Sequence, residues 1–240
     1  MPEAIPSRAP GIAATIAAVF RQNRVPCMVL NAVVLSLVGS YYLVPAVAEV
    51  WEAVGAFKER WSYLFSLTST IFAAVLLPTV AQALLGTLPR EGRGRRLLLL
   101  TLFWGYRGME IDLFYRLQGW LFGSENDART LLIKVCVDQF LMSPLWFVPT
   151  YLIALRWVDH GGSWQRTRAS LGRDFWRRTC PTVLLTNWLV WIPTLALVYS
   201  LPPALQFPLF SVVMCFFILI VTLLARDGAS SSPAEGKGPH

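Results

Sequence analysis

Histidine is almost missing from this chain: His160 and His240 are the only two in 240 residues. Neither lies in an apolar run, so a histidine-built metal site or a haem ligand pair inside a core is not expected. Cysteine gives no substitute. Cys27, Cys136, Cys180 and Cys215 fall in or beside apolar stretches, no two of them at a C-x-x-C spacing, and they read as small buried hydrophobes. No G-x-S-x-G elbow or other nucleophile–base arrangement is present. Neither enzymatic activity nor a cofactor or metal is therefore expected. Charge is scarce as well. At 15% charged and 55% hydrophobic residues, with a mean hydropathy of +0.51, the chain has too little polar surface to wrap a soluble globule.

What it has instead is apolar runs of bilayer length, at residues 27–48, 61–86, 97–122, 131–155, 181–201 and 204–225. Each is close to the roughly 20 residues that a membrane-spanning helix needs. Open sheet edges cannot face lipid, so the pattern predicts an all-α, polytopic transmembrane helical bundle of about six spans. Pro78, Pro144, Pro149, Pro193 and Pro208 fall inside spans and predict kinked segments. The connections are expected at 49–60, 87–96, 123–130 and Pro202-Pro203, with one long loop at 156–180. Residues 1–26 read as an N-terminal arm, 27–226 as one transmembrane domain, and the Ser-, Gly- and Pro-rich residues 227–240 as a disordered tail. Residues 11–20 are apolar for ten residues only and no small-residue cleavage site follows, so no removable signal peptide is expected.

The basic residues fix an orientation. Arg8, Arg21 and Arg24, then Arg90, Arg93, Arg95 and Arg96, then Arg156, Arg166, Arg168, Arg173, Arg177 and Arg178, and finally Arg226 and Lys237 put fifteen on one side. Lys58, Arg60, Arg129 and Lys134 put four on the other. The positive-inside rule then places both termini on the cytoplasm-like side. The net charge of +7 is accounted for by topology, and no nucleic-acid partner is expected. Membrane lipids are. Trp164, Leu171 and Phe175 recur at helical spacing among arginines, as in a helix lying in the headgroup layer.

The third span carries Arg107, Glu110, Asp112 and Arg116. An ionisable group at bilayer centre costs roughly 2.5–3.5 kcal/mol on insertion scales, so such groups must pair, line water or bind something. Arg107 and Glu110 are three apart, and Asp112 and Arg116 four apart, so each acid lies beside a base on one helix surface. On the fourth span Lys134 and Asp138 lie at matching depth, which predicts cross-helix pairs of Asp112 with Lys134 and Arg116 with Asp138. Gln139, Asn187 and Gln206 add neutral hydrogen-bonding groups. Two readings fit: the polar residues line a wet passage, or they lock the helices together. The tryptophans read as interfacial belt and bundle packing rather than as a ligand site.

The third and fourth spans read Gly108-Met-Glu-Ile-Asp112-Leu-Phe114-Tyr115 and Lys134-Val-Cys-Val-Asp138-Gln139-Phe-Leu-Met-Ser-Pro144. Together they resemble the Mpv-seventeen / peroxisomal-membrane-protein-twenty-two family, with its Gly-Pro-x-x-His-x-Trp-Tyr and Lys-x-x-x-Asp-Gln-x-x-x-x-Pro patterns. The second pattern is kept throughout. In the first, Met109, Asp112 and Phe114 stand where the family has Pro, His and Trp. Asn187-Trp188-Leu-Val-Trp191 is similar to a third family stretch, in which Leu195 and Val198 replace polar residues. The resemblance covers about 61–226 and leaves 27–48 as an additional span.

It implies a small helical protein of the mitochondrial inner or peroxisomal membrane, or of the cytoplasmic membrane in a bacterium, and some members are weakly selective pores. The expected function is thus a low-selectivity pore or channel for small polar solutes, with Arg107, Glu110, Asp112, Arg116, Lys134, Asp138, Gln139 and Asn187 as its lining or polar core. The alternative is a nonconducting structural or assembly protein with a paired polar core. A homo-oligomer fits either.

Overall fold

The computed structural model describes residues 12–88, 92–125 and 127–230, with side chains for residue 21 and from 23 to 220 within those limits. Of the arm expected over 1–26, residues 1–11 lie outside the described residues, as does the tail from 231 on, while 12–26 belong to the first helix. Those described are helical and contain no strand. Seven helices follow in order: α1 Ile12–Leu43, α2 Pro45–Leu84, α3 Arg93–Phe122, α4 Ala128–Asp159, the short α5 Trp164–Ser170, α6 Phe175–Tyr199 and α7 Pro203–Ser230. α7 thus runs past residue 227, where the tail was expected to begin. In the 156–180 loop, α5 leaves Trp164 exposed while Phe175 turns inward and is buried under the Arg156 guanidinium, 4.7 Å from its ring centroid. The two do not share one headgroup face.

Five helices are long and apolar enough to cross a membrane: residues 23–43 of α1, α2, α4, α6 and residues 203–220 of α7. α3 is of membrane-spanning length too, but its charges make it less apolar than these five. Its surface shows why it still belongs in lipid. Leu98, Leu102, Leu113, Trp120 and Leu121 are exposed, whereas Arg107 and Asp112 are buried. The apolar side faces out and the charged side faces in, the reverse of a helix on a water-soluble protein.

Two spans differ from their expected limits. α1 ends at Leu43 rather than 48, because Pro45 forces the preceding Val44 into an extended conformation (φ −123°, ψ 102°). Residues 49–60, expected as a loop, are the first arm of α2. At about 1.5 Å per residue, the 40 residues of α2 run to about 60 Å, twice a hydrocarbon core. A kink at Ser62 (φ 45°, ψ −124°) divides the helix into that arm and a span-length remainder. The arm is held against the start of α7, where Gly55 meets Ala204 and Leu205 so closely that a Cβ would come within 2.8 Å of Leu205 Cδ2.

π-helical turns recur at Phe72–Leu76, Val137–Phe147 and Phe175–Thr179. Each closes with an N–H from the residue just before a proline: Leu77 to Phe72 O, Val148 to Ser143 O and Cys180 to Phe175 O. Pro78, Pro149 and Pro181 follow them. A proline ring clashes with the carbonyl four residues back, and widening the preceding turn moves that carbonyl aside without breaking the rod.

Packing puts α7 near the middle, against α1, α2, α3 and α6, with Leu205, Phe207, Leu209, Phe210, Val213 and Met214 buried. α2 lies along α3, and α1 along α6. The α1–α6 contact is partly polar: Thr194 Oγ1 donates to Asn31 Oδ1 at 3.1 Å, and Cys27 Sγ to Leu189 O at 3.1 Å. Outside the bundle, Asp127 caps α4 by accepting the N–H groups of Arg129 (2.9 Å) and Thr130 (3.1 Å). Hydrogen bonding from the side chain and backbone of Thr130 holds its carboxyl below the usual carboxylate range.

At Gly108 the α2 and α3 backbones come close. A Cβ there would collide with the Ser66 carbonyl and the Thr70 hydroxyl on α2. Gly108→Ala is therefore expected to lower stability in detergent by about 1–3 kcal/mol. Gly39→Ala, with nothing within 4 Å of its added Cβ, should be neutral or stabilise by up to about 1 kcal/mol. Chemical unfolding followed by circular dichroism checks both.

Candidate functional site

The expected polar residues separate into three centres. The first lies between α2 and α3. Asp112 is fully buried, its Oδ1 is 2.8 Å from Lys58 Nζ, and its Oδ2 accepts from Ser66 Oγ at 2.9 Å. Arg116, one turn on, adds a longer contact of 3.4 Å and also donates to Ser62 Oγ at the α2 kink, 3.2 Å away. Gly108 makes this centre possible. One turn before Asp112, it lets the α2 backbone come close enough for Ser66 to reach the carboxylate.

The second centre is built on Arg107, between α3 and α4. Its guanidinium pairs with Glu110 at 2.6 Å, donates to Thr150 Oγ1 at 2.7 Å, and lies 5.2 Å and 5.6 Å from the ring centroids of Phe103 and Phe147. Glu110 also accepts from the Trp146 indole at 2.6 Å and the Tyr106 hydroxyl at 3.0 Å. Both intrahelical pairs expected on α3 are thus present.

The third joins α3, α4 and α6. Asp138 accepts from Tyr199 OH at 2.7 Å and from Gln139 Nε2 at 2.8 Å. Gln139 Oε1 accepts from Asn187 Nδ2 at 3.0 Å, and Gln118 Nε2 donates to Tyr199 OH at 2.8 Å. The π-helical turn contributes directly. Pro144 has no N–H to offer the carbonyl of Gln139 five residues back, and the Trp188 indole takes it instead at 2.6 Å. The segments Lys134–Pro144 and Asn187–Trp191 are therefore wired to each other. Tyr115 adds the remaining family-like segment through an edge-to-face contact with Tyr199, at 5.3 Å between centroids.

A cavity of about 400 Å³ opens between α3, α4, α6 and α7. Arg107, Asp138, Gln139 and Asn187 of the expected residues line it, together with Ser143 and Thr186 and with aromatic and aliphatic walls. Glu110, Asp112, Arg116 and Lys134 are not among its lining residues. The cross-helix pairs Asp112–Lys134 and Arg116–Asp138 do not form: Asp112 and Arg116 face α2, away from α4, and Lys58 takes the place expected of Lys134. Lys134 is buried, and among the described residues no carboxylate lies within ion-pair distance of it. Gln206 stands apart from the cavity and donates to Leu201 O at 2.9 Å, closing the α6–α7 turn.

Sequence reasoning missed Lys58, Ser66, Gln118 and Tyr199. For Lys58 a signal existed: no glycine or proline interrupts residues 46–54 or 56–77, so the helix that buries it could have been read through to 61. Among the described residues no three His, Cys, Asp or Glu converge on a metal-sized site.

The chain is similar to the peroxisomal membrane protein PMP22 of Arabidopsis thaliana, 30% identical over 136 residues that make up 55% of this chain and 68% of the relative. No family model matches it. No solved structure matches it either.

The pairing of Lys58 with Asp112 sets the energetic expectation for the first centre. Asp112→Asn leaves buried Lys58 unpaired, and Lys58→Met leaves buried Asp112 with only its longer contact to Arg116, so each alone should cost about 3–5 kcal/mol, whereas the double variant should recover a large part of that loss. Denaturant unfolding of the four proteins in one detergent is the measurement, and purely additive losses would remove the pairing.

Proposed function

The chain belongs, as a distant member, to the family of peroxisomal membrane protein PMP22, and from that premise we propose that it is a low-selectivity passage for small polar solutes across an organellar membrane. One observation carries the reading: a cavity of about 400 Å³ inside a bundle of membrane-length helices, with amide, carboxylate and guanidinium groups from three of them in its wall. A solute entering it exchanges part of its hydration for Asp138, Gln139, Asn187 and Arg107. The low dielectric around these groups makes each charge count for more than it would in water. A hydrogen-bonded chain runs from Gln118 through Tyr199 to Asp138 and holds that carboxylate in the wall.

The second reading, a nonconducting structural protein, draws support from the first centre alone. Asp112, Lys58 and Arg116 pair between α2 and α3 outside the cavity wall, as a helix lock does. Both roles fit in one molecule, with the lock holding α3 while the cavity faces α4, α6 and α7.

Purified protein in planar bilayers under a salt gradient tests the passage. Arg107 is the cationic side chain in the lining, and its removal leaves Glu110 uncompensated. Arg107→Gln is therefore expected to shift the reversal potential toward cations. Silence from well-folded wild-type protein would favour the structural reading.

The same proposal places both termini on the cytosolic face. Of the four basic residues assigned to the opposite side, Lys58 and Lys134 are buried, which leaves Arg60 and Arg129 against the fifteen. Reporters fused at the C-terminus and inserted within 123–130 should give opposite signals. Matching signals would overturn this topology.

A further inference from the structure

The charge in the cavity wall does not balance. One basic and one acidic side chain line it, Arg107 and Asp138. Arg107 is neutralised by Glu110 at 2.6 Å, and its guanidinium lies against two phenylalanine rings. Asp138 has no such partner. Its carboxylate accepts from a phenol and an amide, both neutral, and no Lys or Arg lies within 4 Å of it among the described residues. Lys134, one turn earlier on the same helix, is not in the lining and does not pair with it. The remaining wall is rich in aromatic rings, among them Trp104, Tyr115, Tyr151, Trp191 and Phe210.

We propose that the cavity is a binding site for an organic cation, a primary or quaternary amine with an apolar body, whose ammonium group is recognised by Asp138 while its apolar part packs among the aromatic walls. Three features argue for this class. A buried carboxylate without a counter-ion gains most from a cation that brings its own charge. Aromatic rings attract ammonium groups through their π faces and accept apolar bodies equally well. The volume of about 400 Å³ lies in the range of small-molecule sites and exceeds what an inorganic cation needs. The carboxylate oxygens each keep acceptor capacity beyond the single bond they receive from Tyr199 and Gln139. An amine can therefore join the network without dismantling it. A carboxylate ligand would meet Asp138 as a like charge.

The inference rests on reading the cavity as a solute site, and binding separates it from conduction. The probes are phenethylamine and its neutral counterpart 2-phenylethanol, measured by isothermal titration calorimetry on the full chain in detergent. Wild type is expected to bind the amine at least about tenfold more tightly than the alcohol. Asp138→Asn should abolish that preference and leave alcohol binding intact, because an asparagine amide can still donate to Tyr199 and accept from Gln139. Equal affinities in wild type, or a preference that survives Asp138→Asn, would overturn the proposal. Should the variant fail to fold, the wild-type comparison decides by itself. Amine binding by a protein that carries no current would sink the passage and keep the site; current without amine preference would do the reverse.

Discussion

A charge left without a partner at membrane depth is costly, and the contact between α2 and α3 is arranged around avoiding that state at one carboxylate. That group is Asp112. With no water to solvate it, the carboxylate draws in Lys58 from a different helix, Ser66 from the same helix as Lys58, and Arg116 from one turn along its own. Meeting those demands dictates that α2 extends well beyond a single span, that it kinks at Ser62, and that Gly108 has no side chain. The lock between α2 and α3 is thus a condition for inserting α3 at all. Its value lies less in the attraction gained than in the several kcal/mol lost when one partner is missing.

Proline does for the backbone what Lys58 does for the side chains. Three widened turns end at the residue before a proline, and each keeps a rod continuous that the ring would otherwise break. In α4 the widening has a chemical result. The Gln139 carbonyl is released from the helix ladder to the Trp188 indole, so α4 and α6 are joined by a bond that a regular helix could not make. Asn187 then reaches Gln139 through its side chain, and these two helices together supply the amide groups of the cavity wall.

The helical class, the span positions from 61 onward and the two ion pairs within α3 were legible because they depend only on local spacing. Arg107–Glu110 and Asp112–Arg116 follow from positions three and four apart on one helix, and both form. Depth along the bundle was legible too, and it suggested Lys134 for Asp112. Depth is a necessary condition for pairing and not a sufficient one, since the direction in which a side chain leaves its helix decides the partner. That direction depends on tertiary packing and, beyond Cys136, on an eleven-residue π-helical stretch whose turn differs from the regular period. Lys58 was hidden differently. It stands among Glu49, Glu52, Glu59 and Arg60, a density of charge that outweighs the uninterrupted helical run and reads as a loop.

The inward-facing charges of α3 also decide the parity of the chain. Among the described residues the strongly apolar helices alone number five, and an odd number of crossings would leave the two ends of the polypeptide in different compartments. The proposed topology counts α3 as well, which makes the number even and gives the two ends one compartment. Whether α3 crosses therefore separates a protein whose two ends meet the same set of soluble partners from one whose ends never do.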